Sequence, residues 1–485
     1  MAVNRAELRE LFRSDPDAAI ALFERQEAKI SEQEARIAGL EAEIAELKAL
    51  LGQNSRNSSR PPSSDVFLRP KSQRVKGEKP PGGQKGHVGR TLRMVETPDN
   101  VVVHHVTACK KCRVSLENEP VVDVERRQVF DMPPLRIVVS EHQAEEKQCP
   151  CCHTVTKAEF PMGVEHHVQY GDNILAFIVY LLVFQLLPYD RIKDMFSDVF
   201  QHSVGGGTLM RAVKSCYDHL AVFEDFTRYG LLKSEVLHVD ETGVRVKGKR
   251  EWLHEASTGL LTFYKHHRKR GAEAMDEMRI LPDYKGVSLH DFWKPYLRYP
   301  CIHAFCNAHV LRELRGVTEN TGQHWSESMS SLLRQIKTTV DKARPISRSL
   351  SEEQLIRFEI EYLDALMQGI RENQDEYQKS GGRKQSKAKN LMDRLQEYQQ
   401  GVLLFMRDFR VPFDNNQAER DLRMMKVHEK ISGTFRSTEG ADWFCRIRGY
   451  ISILIKNNQP VLPGIRKIFQ GHPYIPHAAL KIPLS

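Results

Sequence analysis

Phe23, Ile30, Ile37, Ile44 and Leu51 recur every seven residues, with Gln26, Gln33, Leu40 and Leu47 at the intervening positions and Glu, Lys and Arg around them. A sevenfold apolar repeat predicts a coiled coil, because helices keep such a seam buried by winding around each other. Ile at a with Leu at d in the last two heptads favours a parallel pair of helices over residues 1–52, and the earlier glutamines weaken the seam there. A single amphipathic helix packed on its own protein is the competing reading. Gly52 ends the pattern, and the Asn, Ser and Pro of GQNSRNSSRPPSSD compete with or forbid helical hydrogen bonding. Residues 53–95 therefore read as a disordered linker.

Beyond it, QVFDMPPLRIVVSEHQAE alternates as strands do, within a small domain over 96–165. From 166 to 230 the spacing turns helical. The run ILAFIVYLLVFQLLP ends its unbroken apolar stretch at Gln185, short of the roughly 20 residues that span a membrane, and reads as a buried helix. LLPYDRIKDMFSDVF, the break HSVGGG and TLMRAVKSCYDHL resemble a helix-turn-helix whose second helix starts near Thr208 and offers Arg211 and Lys214 to DNA. Any helical hairpin with a Gly-rich turn has the same pattern.

EVLHVDETGVRV predicts a strand with Asp240 at its C-terminal end and Gly243 in the turn back into VRVKGKREWLHEAS. TGLLTFYKHH completes a three-stranded antiparallel meander, GVSLH adds a fourth strand ending at Asp291, and CIHAF a fifth that leads into a helix. The charged, helix-patterned stretch that follows, about 315–410, reads as a helical insertion.

Charge and cysteines sharpen this outline. The chain of 485 residues carries a formal +8, of which +7 falls between Gln53 and Arg90, a basic arm suited to a polyanion. Its GGQKGHVG piece lacks the spacing of a phosphate-cradling loop. The opening MAVNRAELRELFRSDPD has no apolar core of a signal peptide, so a reducing, cytoplasmic setting is expected. Cys109-Lys-Lys-Cys112 and Cys149-Pro-Cys-Cys152, 37 residues apart, suit a four-cysteine zinc ribbon. Cys151 or His153 are alternative ligands.

Two strand-end aspartates side by side repel each other unless a cation lies between them. Oxygen ligands without nearby thiolates point to Mg²⁺ or Mn²⁺. A third carboxylate is expected from a helix against the sheet. In VPFDNNQAERDLRM, Asp414 or Asn415 can cap a helix starting near Gln417, with Glu419 in its first turn, where the helix dipole favours negative charge. Arg420, Arg423 and Lys426 on the same helix are candidates for phosphate contact, and ordinary surface charge is their bland reading.

NSRNSSRPPSSD, the two CxxC pairs, QLLPYDR, HVDET, HDFWKPY, CNAH, DNNQAERDLR and KISGTFRSTEGA occur in the order seen in the insertion sequence 66 family of bacterial DDE transposases, and the chain resembles that family from about Asn54 to Asn458. The resemblance implies a multidomain α+β protein whose ribonuclease H-like catalytic domain (231–460, followed by a tail over 461–485) carries Asp240, Asp291 and Glu419 as its triad. Cys306-Asn-Ala-His309 resembles a CxxH motif found after the second aspartate in such enzymes, as readily a buried structural pair as a metal site. The implied activity is Mg²⁺-dependent cleavage at transposon ends and strand transfer into target DNA. Implied partners are double-stranded DNA, a second copy through the coiled coil or a larger synaptic assembly at the nucleoid, and accessory proteins of the same element. A non-catalytic DNA-binding regulator and a structure-specific nuclease without joining activity are the alternatives.

Overall fold

A computed structural model of the chain describes residues 10, 12–54, 57, 92–374 and 385–476. The basic residues from Arg56 to Arg90, on which the basic arm was read, lie outside them. The chain divides into two compact units, one of Pro70–Glu159 with Met195–Ser203, the other of Met1–Arg69, Phe160–Asp194 and Val204–Ser485. The heptad region forms one unbroken helix, α1 (Pro16–Leu51), and Ile30, Ile37, Leu40, Ile44 and Leu47 along its seam are each about half exposed.

In the smaller unit, β1 (Glu146–Gln148) and β2 (Val155–Lys157) pair antiparallel around Cys149-Pro-Cys-Cys152, and a single bridge from Ala108 to Ser115 closes over Cys109-Lys-Lys-Cys112. The alternating stretch between these turns forms no strand. Its Val121, Val122, Val129, Val138 and Val139 are exposed, and no residue from 92 to 159 is buried. Alternation becomes a strand only where a neighbouring edge takes its hydrogen bonds and a core takes one face, and the Pro133-Pro134 step also removes two donors.

The larger unit is built on a five-stranded sheet of β3 (Val236–Val246), β4 (Lys249–Ser257), β5 (Thr262–His267), β6 (Val287–His290) and β7 (Ile302–Phe305), in the order β5-β4-β3-β6-β7. β3, β4 and β5 form the expected antiparallel meander, and β6 and β7 run parallel to β3. The first turn differs from the expected one. It is made by Lys247 and Gly248, both with positive φ (50° and 76°), the two-residue turn whose twist matches that of paired strands. Gly243 instead sits within β3, opposite Trp252, where an added Cβ would come 3.1 Å from the Arg250 Nε. Asp240 accordingly lies inside β3, at the point where the pairing with β6 gives out.

Helices cover the sheet and extend from it. α2 (Asp172–Val179) continues into a π-turn over Tyr180–Phe184, and α3 (Tyr189–Phe200), α4 (Gly206–His219) and α5 (Ala221–Leu232) precede the sheet. α6 (Ala272–Met278) links β5 to β6. Between β7 and the next helix on the sheet lie α7 (Asn307–Thr321), α8 (His324–Ala343), α9 (Glu352–Glu372), α10 (Lys387–Glu397) and two short turns, α11 (Gln399–Val402) and α12 (Leu404–Arg407). They close around Trp325, Leu333, Phe358, Tyr362, Leu395 and Phe405, each such apolar side chain contributing about 1.5–3 kcal/mol by burial. α13 (Asn416–Ser432) packs on β3 and α14 (Thr438–Lys456) on β5. The segment read as a tail opens with α15 (Val461–Phe469), which buries Ile465 and Ile468 against α2, α4 and α14. No helix among the described residues is long and apolar enough to cross a membrane.

Candidate active site

The register between β3 and β6 places the first two carboxylates. It pairs Val236 with Val287, Leu237 with Ser288 and His238 with Leu289; Asp240, within β3, and Asp291, just past β6, each follow the last paired residue by two positions. Asp291 accepts a hydrogen bond from the Trp293 N–H (2.9 Å), and Asp240 one from the Glu241 N–H (2.8 Å), which ties each carboxylate to its own turn.

Glu419 arrives on α13, and Asn415 fixes where that helix begins. Asn415 is the residue before the first turn, but its side chain does not cap the helix. Its Nδ2 donates to the Val239 carbonyl (2.9 Å), its Oδ1 meets the His238 Nδ1 (2.7 Å), and its backbone N–H lies 3.1 Å from the Cys306 Sγ. The start of α13 is thus clamped to β3 one residue before Asp240, and to the end of β7. Asp414 supplies a local turn, accepting from the Asn416 N–H at 3.2 Å.

The charges of the three carboxylates are felt together at Asp240. Its removal from water raises its pKa well above the ordinary carboxylate range, and the negative charges of Glu241, Asp291 and Glu419 raise it further. Burial also raises Asp291. Glu241 is raised by burial and by Asp291, although Arg270 binds it (Nη2 to Oε1 2.6 Å) and the Tyr296 hydroxyl donates to it at 2.5 Å. Glu419 is held by Arg312, Nη2 to Oε1 3.1 Å. Among the described residues, the carboxylates of the triad are not gathered within 4.8 Å of one another; His267, Glu273 and Glu277 are the set that is. The last two are exposed and bound by Lys269 and Lys265. Burial at both, and the neighbouring carboxylates at Asp240, oppose ionisation of Asp240 and Asp291, a cost that a hard divalent cation relieves.

Cys306 and His309 are both drawn into the interior. Burial pushes the Cys306 thiol up to about 12 and the His309 imidazole down to about 3, so both are neutral near pH 7. Cys306 serves the joint between α7 and α13, and His309 Nδ1 has no hydrogen-bond partner. In the smaller unit the two cysteine turns are copies of one another. The Cys109 N–H donates to Val114 O and the Arg113 N–H to Cys109 O; the Cys149 N–H donates to Thr154 O and the His153 N–H to Cys149 O, all at 2.9 Å. Arg113 and His153 both take positive φ (65° and 53°). Each turn brings its own pair of thiols within hydrogen-bond reach, and the Thr154 hydroxyl together with nearby donors lowers Cys152 to about 7. Among the described residues, the two pairs do not meet in one cluster.

Of the basic candidates, Arg211 and Lys214 stand exposed on α4 opposite its buried Leu209, Ala212, Val213 and Cys216, with Lys214 paired to Asp218 at 2.6 Å. α4 begins two residues before the expected Thr208. Arg420 and Arg423 are exposed on α13, and Lys426 is half-buried, 3.8 Å from Glu429. Asn415, Arg312 and Arg270 were not singled out from the sequence as supports of the site. Their partners are distant in the chain, and the one local signal, the doubled Asn after Asp414, reads equally as a helix cap.

Residues 167–443 match the family described as Transposase IS66 family, and residues 5–93 match a family of unknown function (DUF6444). The chain belongs to the IS66 transposase family, and so to the DNA transposases. No curated protein matches it.

Proposed function

We propose that the chain is a DDE transposase in which Asp240, Asp291 and Glu419 hold Mg²⁺ or Mn²⁺. The observation that carries this reading is the shared field at Asp240, where Asp291 and Glu419, 51 and 179 residues away, both raise its pKa. The strand order, three antiparallel strands followed by two parallel ones, supports a ribonuclease H-like domain. When bound, the metal supplies the acidity that makes water or a 3′-OH a nucleophile near neutral pH, and the charge that steadies a leaving 3′ oxygen.

The chain's own residues orient these groups. Asp240 and Asp291 present their carboxylates from neighbouring strands, Asn415 holds the start of α13, which carries Glu419, against β3, and Arg312 neutralises Glu419. Cleavage breaks the P–O3′ bond at the element's end and forms a P–O bond to water. Strand transfer then forms a bond from the freed 3′-OH to a target phosphate and breaks the target's own P–O3′ bond, so phosphodiester bonds are conserved. Arg420, Arg423 and Lys426 along α13, with Arg211 and Lys214 on α4, supply phosphate contacts. Each cysteine turn pairs its own thiols, and Zn²⁺ would be held by Cys109, Cys112, Cys149 and Cys152 once the two turns are drawn together; the exposed seam of α1 pairs with a second copy.

The test is Mg²⁺-dependent nicking and joining of a duplex carrying the element's end. Asp240→Asn, Asp291→Asn and Glu419→Gln are each expected to lower the rate by about 10²–10³-fold or more. Nicking that survives Glu419→Gln would sink the assignment of the triad. Joining of a pre-cut 3′ end to plasmid separates a transposase from a simple nuclease.

A further inference from the structure

Beside the carboxylates runs a ladder of alternating guanidinium and indole groups that the proposed chemistry leaves unused. The Arg250 guanidinium carbon lies 4.8 Å from the centre of the Trp252 ring, Arg270 lies 4.9 Å from Trp252 on β4, and the same Arg270 lies 4.2 Å from the Trp293 ring. The order is Arg250, Trp252, Arg270, Trp293. None of the four is buried, and Arg250 is exposed.

Local sequence builds this ladder. Arg250 and Trp252 are two apart on β4 and so share a face of the sheet. Opposite Trp252 is Gly243, whose missing side chain leaves room for the Arg250 guanidinium. Arg270 leaves β5 and reaches back to Glu241, and Trp293 follows Asp291 by two residues, its N–H bound to that carboxylate. One end of the ladder is therefore joined to the candidate site through Glu241 and Asp291. A core does not need this arrangement, since planar cations lie over partly exposed rings. Indole and guanidinium planes stacked in alternation bind the π-face of an unpaired base, and the positive charge follows the backbone that carries it.

We propose that Arg250, Trp252, Arg270 and Trp293 form a base-stacking platform that takes an unpaired nucleotide of the DNA end, beside the carboxylates where that strand is cut or joined. Arg250, the most exposed rung, is displaced as the base stacks on Trp252, and Trp293 stacks the neighbouring base. The platform rests on the reading of Asp240, Asp291 and Glu419 as a DNA-processing site.

The experiment uses the full chain without Mg²⁺, at fixed salt because phosphate contacts scale with it. Two duplexes are compared, one blunt and one with a short single-stranded 3′ tail carrying 2-aminopurine. Wild type is expected to quench the 2-aminopurine and to bind the tailed duplex about 5- to 150-fold more tightly than the blunt one. Trp252→Ala and Trp293→Ala should each lose most of the quenching and of the tail preference while binding the blunt duplex as before. Trp293→Phe, which keeps an aromatic face, should keep most of both. Should an alanine variant fail to fold, Arg250→Gln, an exposed change that frees the face of Trp252, should raise the quenching and the tail preference, and no change in either would count against the platform. Equal binding of tailed and blunt duplexes by wild type, or unaltered quenching in the tryptophan variants, would overturn the platform. Nicking by Glu419→Gln would instead remove the catalytic reading, and a tail preference persisting in that variant would leave the platform standing as a binding site alone.

Discussion

The two units of this chain are held together in opposite ways. The larger one buries Trp325, Phe358, Tyr362, Tyr450 and dozens of aliphatic side chains around a sheet and its helices, while from 92 to 159 the smaller one buries nothing. Its order comes from two hydrogen-bonded cysteine turns and a hairpin with three residues in each strand. A short hairpin without a core is marginal in water, so the difference locates the energy of each unit. The larger is stabilised by removing apolar surface from water, and the stretch 92–159 has only its turns and its short hairpin.

That contrast can be broken, and the sharpest attempt is metal removal. Chelation, or Cys109→Ser with Cys149→Ser, is expected to abolish amide-exchange protection over 92–159 and to leave that of β3 to β7 in place. Structural zinc in comparable small sites contributes on the order of 10–16 kcal/mol. Protection that persists in a metal-free sample would show that the smaller unit needs no ligand.

The converse test strikes the larger unit. Phe358→Ala, at a fully buried position in the helical insertion, should cost about 3–5 kcal/mol. The loss would be read as a lowered denaturation midpoint in urea, with the exchange of 92–159 unchanged. Equal loosening of both units would mean that they are energetically one.

The smallest effect concerns pH and belongs to the larger unit. His266, between Glu251 (2.6 Å) and Asp442 (3.3 Å), has its pKa raised, the two carboxylates outweighing the opposing effect of burial. A raised histidine contributes stability that is complete below its unfolded pKa, about 6.5, and is lost as pH rises through the folded value. Wild type should therefore lose more stability than His266→Gln between about pH 6 and pH 8, measured as the shift in thermal midpoint. An identical pH dependence in both proteins would remove the ion pairs from the account.

Much of the site was legible in advance because its parts carry strong local signals. β-branched runs marked β3, β6 and β7, a doubled asparagine before Gln417 marked the start of α13, and the CxxC spacing marked the two cysteine turns. What misled was also local. Gly243 suggested a turn because glycine often makes one, whereas Lys247-Gly248 has the twist that a tight hairpin requires. The alternating run between the cysteine pairs suggested strands that have neither an edge to pair with nor a core to face.

By itself, the sequence determined the helix of the heptads, the β3–β5 meander, the paired cysteine turns and the identity of the three acidic candidates, because periodicity, turn chemistry and residue type act over a few neighbours. Only the tertiary structure decided that Asp240 and Asp291 follow the parallel pairing of β3 and β6 by the same two positions, that Asn415 serves β3 and not its own helix, that Arg312 holds Glu419, and that Arg250, Trp252, Arg270 and Trp293 stack. Those contacts join residues far apart in the chain. Their energy depends on distance, burial and shared field, none of which a linear pattern contains.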